Sequence, residues 1–470
     1  MTDPKTDTFA IDEQLDRKLN LYLRTACLLM ECSADTTRIM RNLRRTAGFL
    51  GLDADKLQTF VDYEMLMVSY DDGYHTPTRF RRCKHHSIDF AAITRISHLS
   101  WEAIRYDYSL DEYDRRLTHI GSAKRHYTPW QVAVGSGFAC GGFCIQFGCD
   151  WPAFFYASFA AIIGMRLKAW LGAKGANAYM GICIAALVST VLAWLESFLS
   201  LSPTMVAALP TWMHSDTPWH PLMACALFIV PGVPIINFVS DMLDGYVRTG
   251  LVRAINTLLM IVAMSFGIVL AIGVCGIDNF VTDLTMVPHH SYVEFAVAAA
   301  ISAMGFSMIF NTSPKLLPIV ALGGIIAVCN RNFVNLGPST GNFGLDQGII
   351  VGSLAGSVLA SLLAVMAAHW VHTPHQCLSI PSVIPMIPGV FMYRALFAFI
   401  ELHGVVGEVT VAMHNLIMAS LITMCIAIGV AIPNIFVRRM LESQRKLRLH
   451  RLLIARRRHD DGSATVGRER

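Results

Sequence analysis

Charged side chains are scarce in this sequence. They make up 15% of its 470 residues, whereas hydrophobic residues make up 54%. Soluble domains carry about 25% charged residues, and the mean hydropathy of +0.46 agrees with that difference. The scarcity excludes an ordinary soluble protein over most of the chain. It is most pronounced from Trp130 to Val437, which is almost continuously apolar, and this stretch predicts a polytopic α-helical membrane protein.

A secretory signal and catalytic motifs are missing from the N-terminal segment. Its first apolar residues stand among Asp12, Asp16 and Lys18, with no cleavage site of small residues, so we expect the segment to stay in the cytoplasm. Up to Tyr127 it carries no HExxH, GxSxG or phosphate-binding loop. The sequence therefore predicts no catalytic residue, no metal site and no cofactor. The 12 cysteines are scattered, which is typical of packing residues rather than of a disulfide framework.

Ten apolar stretches are long enough to cross a bilayer, which takes about 20 residues. Pro, Gly, Asn or charged residues separate them, as expected of turns. The predicted spans are residues 130–149, 152–171, 177–199, 221–243, 253–275, 292–311, 314–333, 347–369, 379–402 and 409–435. We therefore expect four segments: a small α/β cytoplasmic domain (1–127), a first membrane unit of five spans (128–276), a second membrane unit of five spans (277–437) and a basic cytoplasmic tail (438–470).

The N-terminal segment alternates helical and strand patterns. Apolar residues keep helical spacing from Leu15 to Met30, and a second helical stretch runs from Ala34 to Gly51. Residues 57–70 and 76–83 predict two strands joined at Asp72-Gly73, a hairpin signal. Further helices are predicted over residues 87–105 and 110–120.

Lys and Arg predict the orientation. Both the N-terminal segment and the tail after Arg438 are rich in them, whereas loops 200–220 and 276–291 contain none. An even number of spans places both termini on one side. We therefore expect a multi-pass protein of the cell inner (plasma) membrane with both termini in the cytoplasm.

The membrane region contains an internal repeat. GFCIQF begins at Gly142 and GFSMIF at Gly305, while VPGV begins at Val230 and IPGV at Ile387, in the same order and at similar separations. Because five spans per unit is an odd number, the second unit enters the membrane from the opposite face. The sequence thus predicts two inverted five-helix repeats, a plan that recurs in secondary transporters.

Proline interrupts the fourth span of each half. A proline within a helix removes a backbone donor, and freed backbone groups at membrane depth must be buried or face a wet cavity. Pro231 and Gly232 in one half, and Pro388 and Gly389 in the other, therefore predict paired broken helices around a central binding site. The helix that begins after each break directs its positive dipole end inward, which suits a carboxylate.

Polar residues follow both breaks. We expect Arg394 to hold a substrate carboxylate and Asp241 or Glu401 to carry a proton; Asp241 could instead pair with a substrate ammonium group. Asn237 and Asn415 would line a polar path. Two alternatives remain open from sequence: the charged residues could lie at the water interface, and the asparagines could join neighbouring helices.

Several ordered motifs resemble the threonine/serine exporter family. LLMECSADTTRIMRNLRRTAGFLGL (28–52) resembles its N-terminal signature, except that Cys32 and Ser33 stand where the family pattern has a glycine. TRFRRCKHHSIDFAAITRISHL (78–99) resembles a later segment of that region. GFSMIFNTSPKLLPIVALGGII (305–326) and IPMIPGVFMYRALFAF (384–399) resemble its second membrane domain.

The resemblance implies a proton-driven secondary exporter of small amino acids, threonine and serine. Some relatives in which the two membrane halves are separate chains are associated with export of dicarboxylates such as succinate, and that substrate class stays open. A membrane-anchored enzyme or sensor that uses the N-terminal segment is an alternative of another class. The expected partners are a small carboxylate-bearing metabolite and membrane lipid, not nucleic acid, and the sequence leaves a homo-oligomer open.

Overall fold

The computed structural model describes residues 4–71, 73, 75–84, 86–277, 290–338, 343–400, 407, 409–433 and 436. Within these ranges the chain is mostly helical and divides into two compact units. The first includes residues 4–124 and 240–252, and the second includes residues 125–239 and 253–433. The predicted basic tail (438–470) lies outside the described residues. The four predicted segment boundaries stay predictions.

Four helices form most of the first unit, and all four were predicted from periodicity. α2 begins after Asp35, whose carboxylate accepts a hydrogen bond from the Arg38 N–H at 3.0 Å. It ends at Gly51, which adopts a left-handed φ of 67°. The helices are α1 (Pro4–Glu31), α2 (Thr36–Leu50), α3 (Phe90–Arg105) and α4 (Leu110–Ser122).

The first unit also contains an antiparallel three-stranded sheet in the order β1-β2-β3. Its strands are β1 (Leu57–Val61), β2 (Met65–Tyr70) and β3 (Thr78–Arg82). The prediction of a single strand over residues 57–70 was wrong, because the chain turns between Val61 and Met65, where the Asp62 N–H donates to the Met65 carbonyl at 3.0 Å. The predicted hairpin pairing of the next two strands is confirmed.

Helix α1 provides the core of the first unit. It packs against the other three helices and against β2 and β3. Because these elements surround α1, the side chains that lie between them and α1 are almost fully buried. They include Leu19, Leu23, Leu29, Met30, Ile39, Leu43, Leu66 and Tyr113.

The second unit is an assembly of apolar helices. Seven helices of the described chain are long and apolar enough to cross a membrane, as expected for a polytopic membrane protein. They are α6 (Trp151–Ala173), α7 (Ala178–Leu201), α11 (Val247–Cys275), α12 (Tyr292–Ile309), α13 (Leu317–Asn335), α14 (Ile349–Trp370) and α17 (Val409–Pro433). For α13 the apolar segment begins earlier, at Pro314.

The other three predicted spans have different structures. One corresponds to a single helix, α5 (Pro129–Gln146), and two correspond to interrupted segments. The interrupted segments contain α9 (Pro221–Ala224) and α10 (Gly232–Leu243), and α15 (Gln376–Val383) and α16 (Gly389–Ile400); the short α8 (Pro203–Ala208) follows α7. Helices α10 and α11 contribute residues to both units. The count of ten spans and their inverted relation stay predictions.

Close packing joins α5 to α12, the helices that carry the GFCIQF and GFSMIF motifs. A Cβ placed on Gly305 would lie 2.4 Å from the Gly135 carbonyl oxygen, and one on Gly142 would lie 2.6 Å from the Ala298 carbonyl oxygen. The Phe143 ring meets the Phe306 ring edge-on with centroids 5.7 Å apart. Small residues thus let the two backbones touch, as is typical of helix pairs in membranes.

The two motifs also end their helices in the same way. Gly148 (φ 91°) and Asn311 (φ 56°) both adopt left-handed backbone just after α5 and α12. Equivalent backbone hydrogen bonds close both turns: the N–H two residues past each motif donates to the carbonyl of the motif's third residue, from Cys149 to Cys144 at 3.1 Å and from Thr312 to Ser307 at 2.9 Å. The repeat read in the sequence therefore corresponds to a repeat in local conformation.

Candidate functional site

Both predicted breaks interrupt a helix in the structure. In the first, a 3₁₀ turn (Leu227–Ile229) is followed by extended Val230, with ψ 122°, before α10 begins at Gly232. In the second, a 3₁₀ turn (Ile384–Met386) is followed by extended Ile387, with ψ 133°, before α16 begins at Gly389. A proline precedes each of these glycines, and its missing N–H and fixed φ favour a helix start rather than a helix interior.

The same three backbone hydrogen bonds hold both breaks. One closes the 3₁₀ turn, one crosses the proline and one belongs to the first turn of the new helix. In the first break they run from Val230 to Leu227 (3.1 Å), from Gly232 to Val230 (2.8 Å) and from Ile235 to Pro231 (3.0 Å). In the second they run from Ile387 to Ile384 (2.9 Å), from Gly389 to Ile387 (2.8 Å) and from Met392 to Pro388 (3.1 Å).

The two breaks lie against each other, and their contacts are reciprocal. A Cβ placed on Gly232 would lie 2.8 Å from Ile387 Cδ1 and 3.0 Å from Ile384 Cδ1. A Cβ placed on Gly389 would lie 2.6 Å from Leu227 Cδ2. Each glycine therefore lies against the 3₁₀ turn that precedes the other helix, and a side chain at either position would force the facing Ile or Leu side chain to move.

This contact brings two helix N-termini together within buried protein. Pro231, Gly232, Pro388 and Gly389 are all buried. A helix N-terminus carries a partial positive charge, and surroundings with few polar groups strengthen its attraction for an anion. The arrangement can therefore stabilise a small negative group such as a carboxylate.

The polar residues predicted for the site differ in their burial and in their hydrogen-bond partners. Asn237 is buried in α10, at 2% exposure, and Arg394 is half-buried in α16. The Asn415 amide donates to the Val411 carbonyl at 2.9 Å within its own helix, which is the bond expected of a structural residue. Glu401 lies outside the described residues. No cluster of three or more His, Cys, Asp or Glu able to hold a metal ion occurs among the residues with described positions.

Asp241 contacts the N-terminus of α2 in the first unit. Its Oδ1 accepts a hydrogen bond from the Thr36 N–H at 2.8 Å, and the residue is 1% exposed. Three residues further on, Asp244 Oδ2 accepts a hydrogen bond from the Thr37 hydroxyl. The end of α10 thus presents two carboxylates to the positive end of α2, which stabilises both groups.

The comparison with protein families decides which kind of protein this is. A family model described as "Putative threonine/serine exporter" (ThrE) matches residues 20–275, and one described as "Threonine/Serine exporter, ThrE" (ThrE_2) matches residues 295–436. The chain belongs to the threonine/serine exporter family. The resemblance read from its motifs is confirmed, and the family is one of membrane transporters, so a small-molecule substrate is expected.

Individual relatives of this exporter are distant. It is 25% identical over 271 residues to the "Probable succinate transporter subunit YjjP" of Escherichia coli (strain K12), covering 57% of this chain and 99% of that protein. It is 25% identical over 263 residues to the protein of the same name from Klebsiella aerogenes, covering 55% and 95%. An "Uncharacterized protein" of Haemophilus influenzae is 25% identical over 165 residues, covering 34% and 50%. No solved structure matches.

The exporter's N-terminal signature forms the contact with Asp241. Its Asp35 caps α2 and pairs with Arg38 at 3.1 Å, with both side chains buried. Burial alone would raise the pKa of Asp35, but the positive charges of Arg38 and Arg41 hold that pKa below its usual value. Sequence reasoning did not identify Thr36 and Thr37 as partners of Asp241 and Asp244. The signal available in the sequence was the cap itself, an Asp followed by two hydroxyl residues.

The glycine missing from the signature also has a structural explanation. Ser33 adopts a left-handed φ of 65°, in the turn between α1 and α2. Glycine adopts this conformation without strain, whereas a residue with a Cβ does so at a cost. The Ser33 hydroxyl donates to the Ser87 carbonyl at 3.3 Å, a weak bond at an exposed position. Ser33 therefore holds a backbone conformation that a glycine would adopt without strain.

Proposed function

We propose that this protein is a secondary active exporter of small amino acids, threonine and serine, driven by the proton gradient. It would act in the cell inner (plasma) membrane with both termini in the cytoplasm. Family membership supports transport as the activity. The substrate, the driving ion and the orientation are our inference.

The observation that carries the proposal is the reciprocal contact between the two breaks. Two helix starts at equivalent places in the repeat meet at Gly232 and Gly389. Interrupted helices that meet at a repeat interface are the usual site of substrate binding in secondary transporters. We infer that the substrate carboxylate binds beside these helix N-termini, and that movement of one predicted five-span unit against the other exposes the site alternately to each side of the membrane.

Side chains beyond the breaks would complete this site. Arg394 lies less than two turns after Gly389 in α16, and its guanidinium suits bidentate binding of a carboxylate. Asn237 occupies a comparable distance after Gly232 in α10 and offers an amide. Asp241 and Glu401 are our choices for the proton carrier. Protonation of Asp241 would weaken its hydrogen bond with the Thr36 N–H, because a neutral carboxyl is the poorer acceptor.

A dicarboxylate such as succinate is the second candidate substrate. The observation that favours it is the name of the relatives from Escherichia coli and Klebsiella aerogenes, each a "Probable succinate transporter subunit". Two helix N-termini beside an arginine suit two carboxylates as well as one. The substrate classes differ at the second end, because a dicarboxylate needs a second positive partner and an amino acid needs an anionic or carbonyl partner for its ammonium group.

Efflux from loaded cells tests the proposal and separates the two substrates. Cells that express the protein would be loaded with radiolabelled threonine, serine or succinate, and efflux measured with and without an uncoupler. We expect threonine and serine efflux that the uncoupler abolishes. Succinate efflux without threonine efflux would favour the second candidate, and efflux of none of the three above the level of empty cells would contradict both.

The same assay tests Arg394 as the carboxylate-binding residue. We expect Arg394→Ala to reduce efflux at least tenfold at unchanged membrane abundance. Arg394→Lys should retain part of the efflux, because lysine keeps the positive charge but cannot bind a carboxylate with two parallel hydrogen bonds. Lys174→Ala is the matched control, since Lys174 is an exposed cation outside both breaks. Wild-type efflux in Arg394→Ala would remove Arg394 from the site without touching the proposed activity.

A further inference from the structure

The sheet of the first unit has two unlike faces. Side chains alternate along a strand, and β2 directs Leu66 and Val68, both 0% exposed, towards the helices. Helix α1 covers this face, where the Tyr22 hydroxyl bonds the Thr59 hydroxyl at 2.8 Å. The opposite face has no such cover within the described part of the chain, and its side chains are exposed.

An apolar row crosses this open sheet face. Phe60 pairs with Met67, and Met67 pairs with Phe80, so the three side chains stand side by side on adjacent strands. They are 38%, 37% and 73% exposed. Met65, at 42% exposure, extends the row along β2. A contiguous apolar patch on an ordered sheet is a common mark of an interaction surface.

The open sheet face adjoins the start of a membrane-spanning helix. The Thr249 hydroxyl, in the first turn of α11, donates to the Val61 carbonyl at the end of β1 at 2.9 Å. The guanidinium of the neighbouring Arg248 lies 5.3 Å from the centre of the Phe60 ring. The first turn of α11 and the edge of the sheet therefore lie side by side.

The length of α11 indicates where its first turn lies relative to a bilayer. Helix α11 runs for 29 residues, and at about 1.5 Å per residue it spans about 44 Å, the full thickness of a bilayer with its headgroups. Its exposed apolar residues begin in the first turns, with Val247 59% and Leu251 53% exposed. The start of α11, and the sheet beside it, therefore fall in the headgroup layer.

The charges of the open sheet face suit anionic lipid. Arg82 follows Phe80 on the same face and its side chain is 74% exposed. Its contact with Glu64, which is also exposed (66%), at 3.9 Å, is a weak surface pair. With Arg248, this places two guanidinium groups at the border of an apolar row, the combination that binds an interfacial bilayer surface.

We propose that the open sheet face (Phe60, Met65, Met67, Phe80, Arg82 and Arg248) rests on the surface of the bilayer that α11 enters. The apolar row inserts among lipid headgroups, and the two arginines bind the phosphates of anionic lipid. The first unit is then held at the membrane by the sheet as well as by the chain connections.

Photocrosslinking tests this contact in the full-length protein. A benzophenone amino acid would replace Phe80, and the purified variant would be reconstituted into vesicles of phosphatidylethanolamine with about one quarter phosphatidylglycerol. We expect phospholipid adducts after illumination, identified by mass, at severalfold the yield of the same substitution at Tyr106. Tyr106 is a matched control, because it is an exposed aromatic residue (59%) of the same unit outside the sheet.

The other occupants of the face give different products. Crosslinks between two copies would show that the face is a dimer contact, crosslinks to another part of the same chain would show that the protein covers it, and equal lipid yields at both positions would show no docking. Each of these results overturns the proposal. A second measurement varies the face itself: with the benzophenone at Met67, Phe80→Asp should lower the lipid yield severalfold and Phe80→Leu should not, and equal yields would again overturn it.

Discussion

At the scale of single residues, the structure shows why glycine and small residues are concentrated where helices meet. Gly142 and Gly305, the first residues of the repeated motifs, each approach a backbone carbonyl of the partner helix rather than a flexible side chain. A backbone cannot move aside as a side-chain end can. The tolerance of a glycine position to substitution therefore depends on what its Cβ would meet.

Gly305→Ala should destabilise the protein by about 1–3 kcal/mol, the usual cost of overpacking, because its Cβ would lie 2.4 Å from the Gly135 oxygen. Thermal unfolding in detergent, followed by size-exclusion chromatography, would show a lower midpoint. Gly273→Ala in α11 is the control, since nothing lies within 4 Å of its Cβ, and it should unfold at or above the wild-type temperature. Equal midpoints for Gly305→Ala and the wild type would contradict the close packing of α5 and α12.

Ser33→Gly should stabilise the first unit by about 0.5–1 kcal/mol. Glycine removes the strain of the left-handed backbone at this position, and that gain exceeds the larger entropy of glycine in the unfolded chain. Ser33→Ala keeps the Cβ but loses the hydroxyl, so it should leave stability unchanged or slightly lower. Hydrogen exchange of α1 and α2 amides in the full-length protein would measure the stability of both variants. Faster exchange in Ser33→Gly than in the wild type would contradict backbone strain at Ser33.

At the scale of helices and strands, sequence reasoning succeeded where a residue type leaves a local mark. Pro231 and Pro388 predicted both breaks, and Gly51 predicted the end of α2. The turn between β1 and β2 was missed because Asp62, Tyr63 and Glu64 contain neither glycine nor proline. Local sequence predicts where a helix stops, but a turn closed by one backbone hydrogen bond needs no characteristic residue type and so gives no sequence signal.

The buried pair of Asp35 and Arg38 should make α2 sensitive to acid. A carboxylate whose pKa is lowered by folding stabilises the folded state fully above its unfolded value, about 3.8, and this stabilisation declines as the pH falls through the lower folded value. We therefore expect α2 amides to lose protection as the pH falls below about 4.

Asp35→Asn isolates the charge in this experiment. Asparagine is a good helix cap, so the variant keeps an acceptor for the Arg38 N–H while losing the carboxylate that the two arginines favour. The variant should be less stable than the wild type by about 2 kcal/mol at neutral pH, the order of a hydrogen bond to a charged group. Its stability should fall little further in acid. Parallel acid sensitivity of the wild type and the variant in pulsed hydrogen exchange would show that another group titrates.

At the scale of the whole molecule, the sequence predicted the internal repeat and one site between its two breaks, but not which residues meet there. The reciprocal fit of Gly232 against Ile387 and of Gly389 against Leu227 joins segments far apart in the chain, and no pattern in one sequence reports such a contact. The same holds for Thr36 and Asp241, which lie 205 positions apart. Local conformation and the pairing of the two breaks could be predicted, whereas the residues in contact across the chain needed the structure.

Two chains should be able to replace one. The two family models meet between residues 275 and 295, and the whole length of the YjjP subunit corresponds to little more than half of this protein. We expect the halves, divided between Ile277 and Ser291 and expressed together, to be recovered as a complex and to restore at least a tenth of the efflux. Either half expressed by itself is the control, and full efflux from one half would contradict a site shared by both breaks.

Helix α10 has a break at one end and Asp241 near the other, and its 12 residues make a rod about 18 Å long. Because a rigid rod moves as one body, a displacement of its Gly232 end changes the position or the direction of its Asp241 end. If substrate binds beside Gly232 as proposed and displaces it, the carboxylates of Asp241 and Asp244 shift relative to Thr36 and Thr37. On that proposal, the N-terminal signature of the family would respond to substrate binding through the movement of α10.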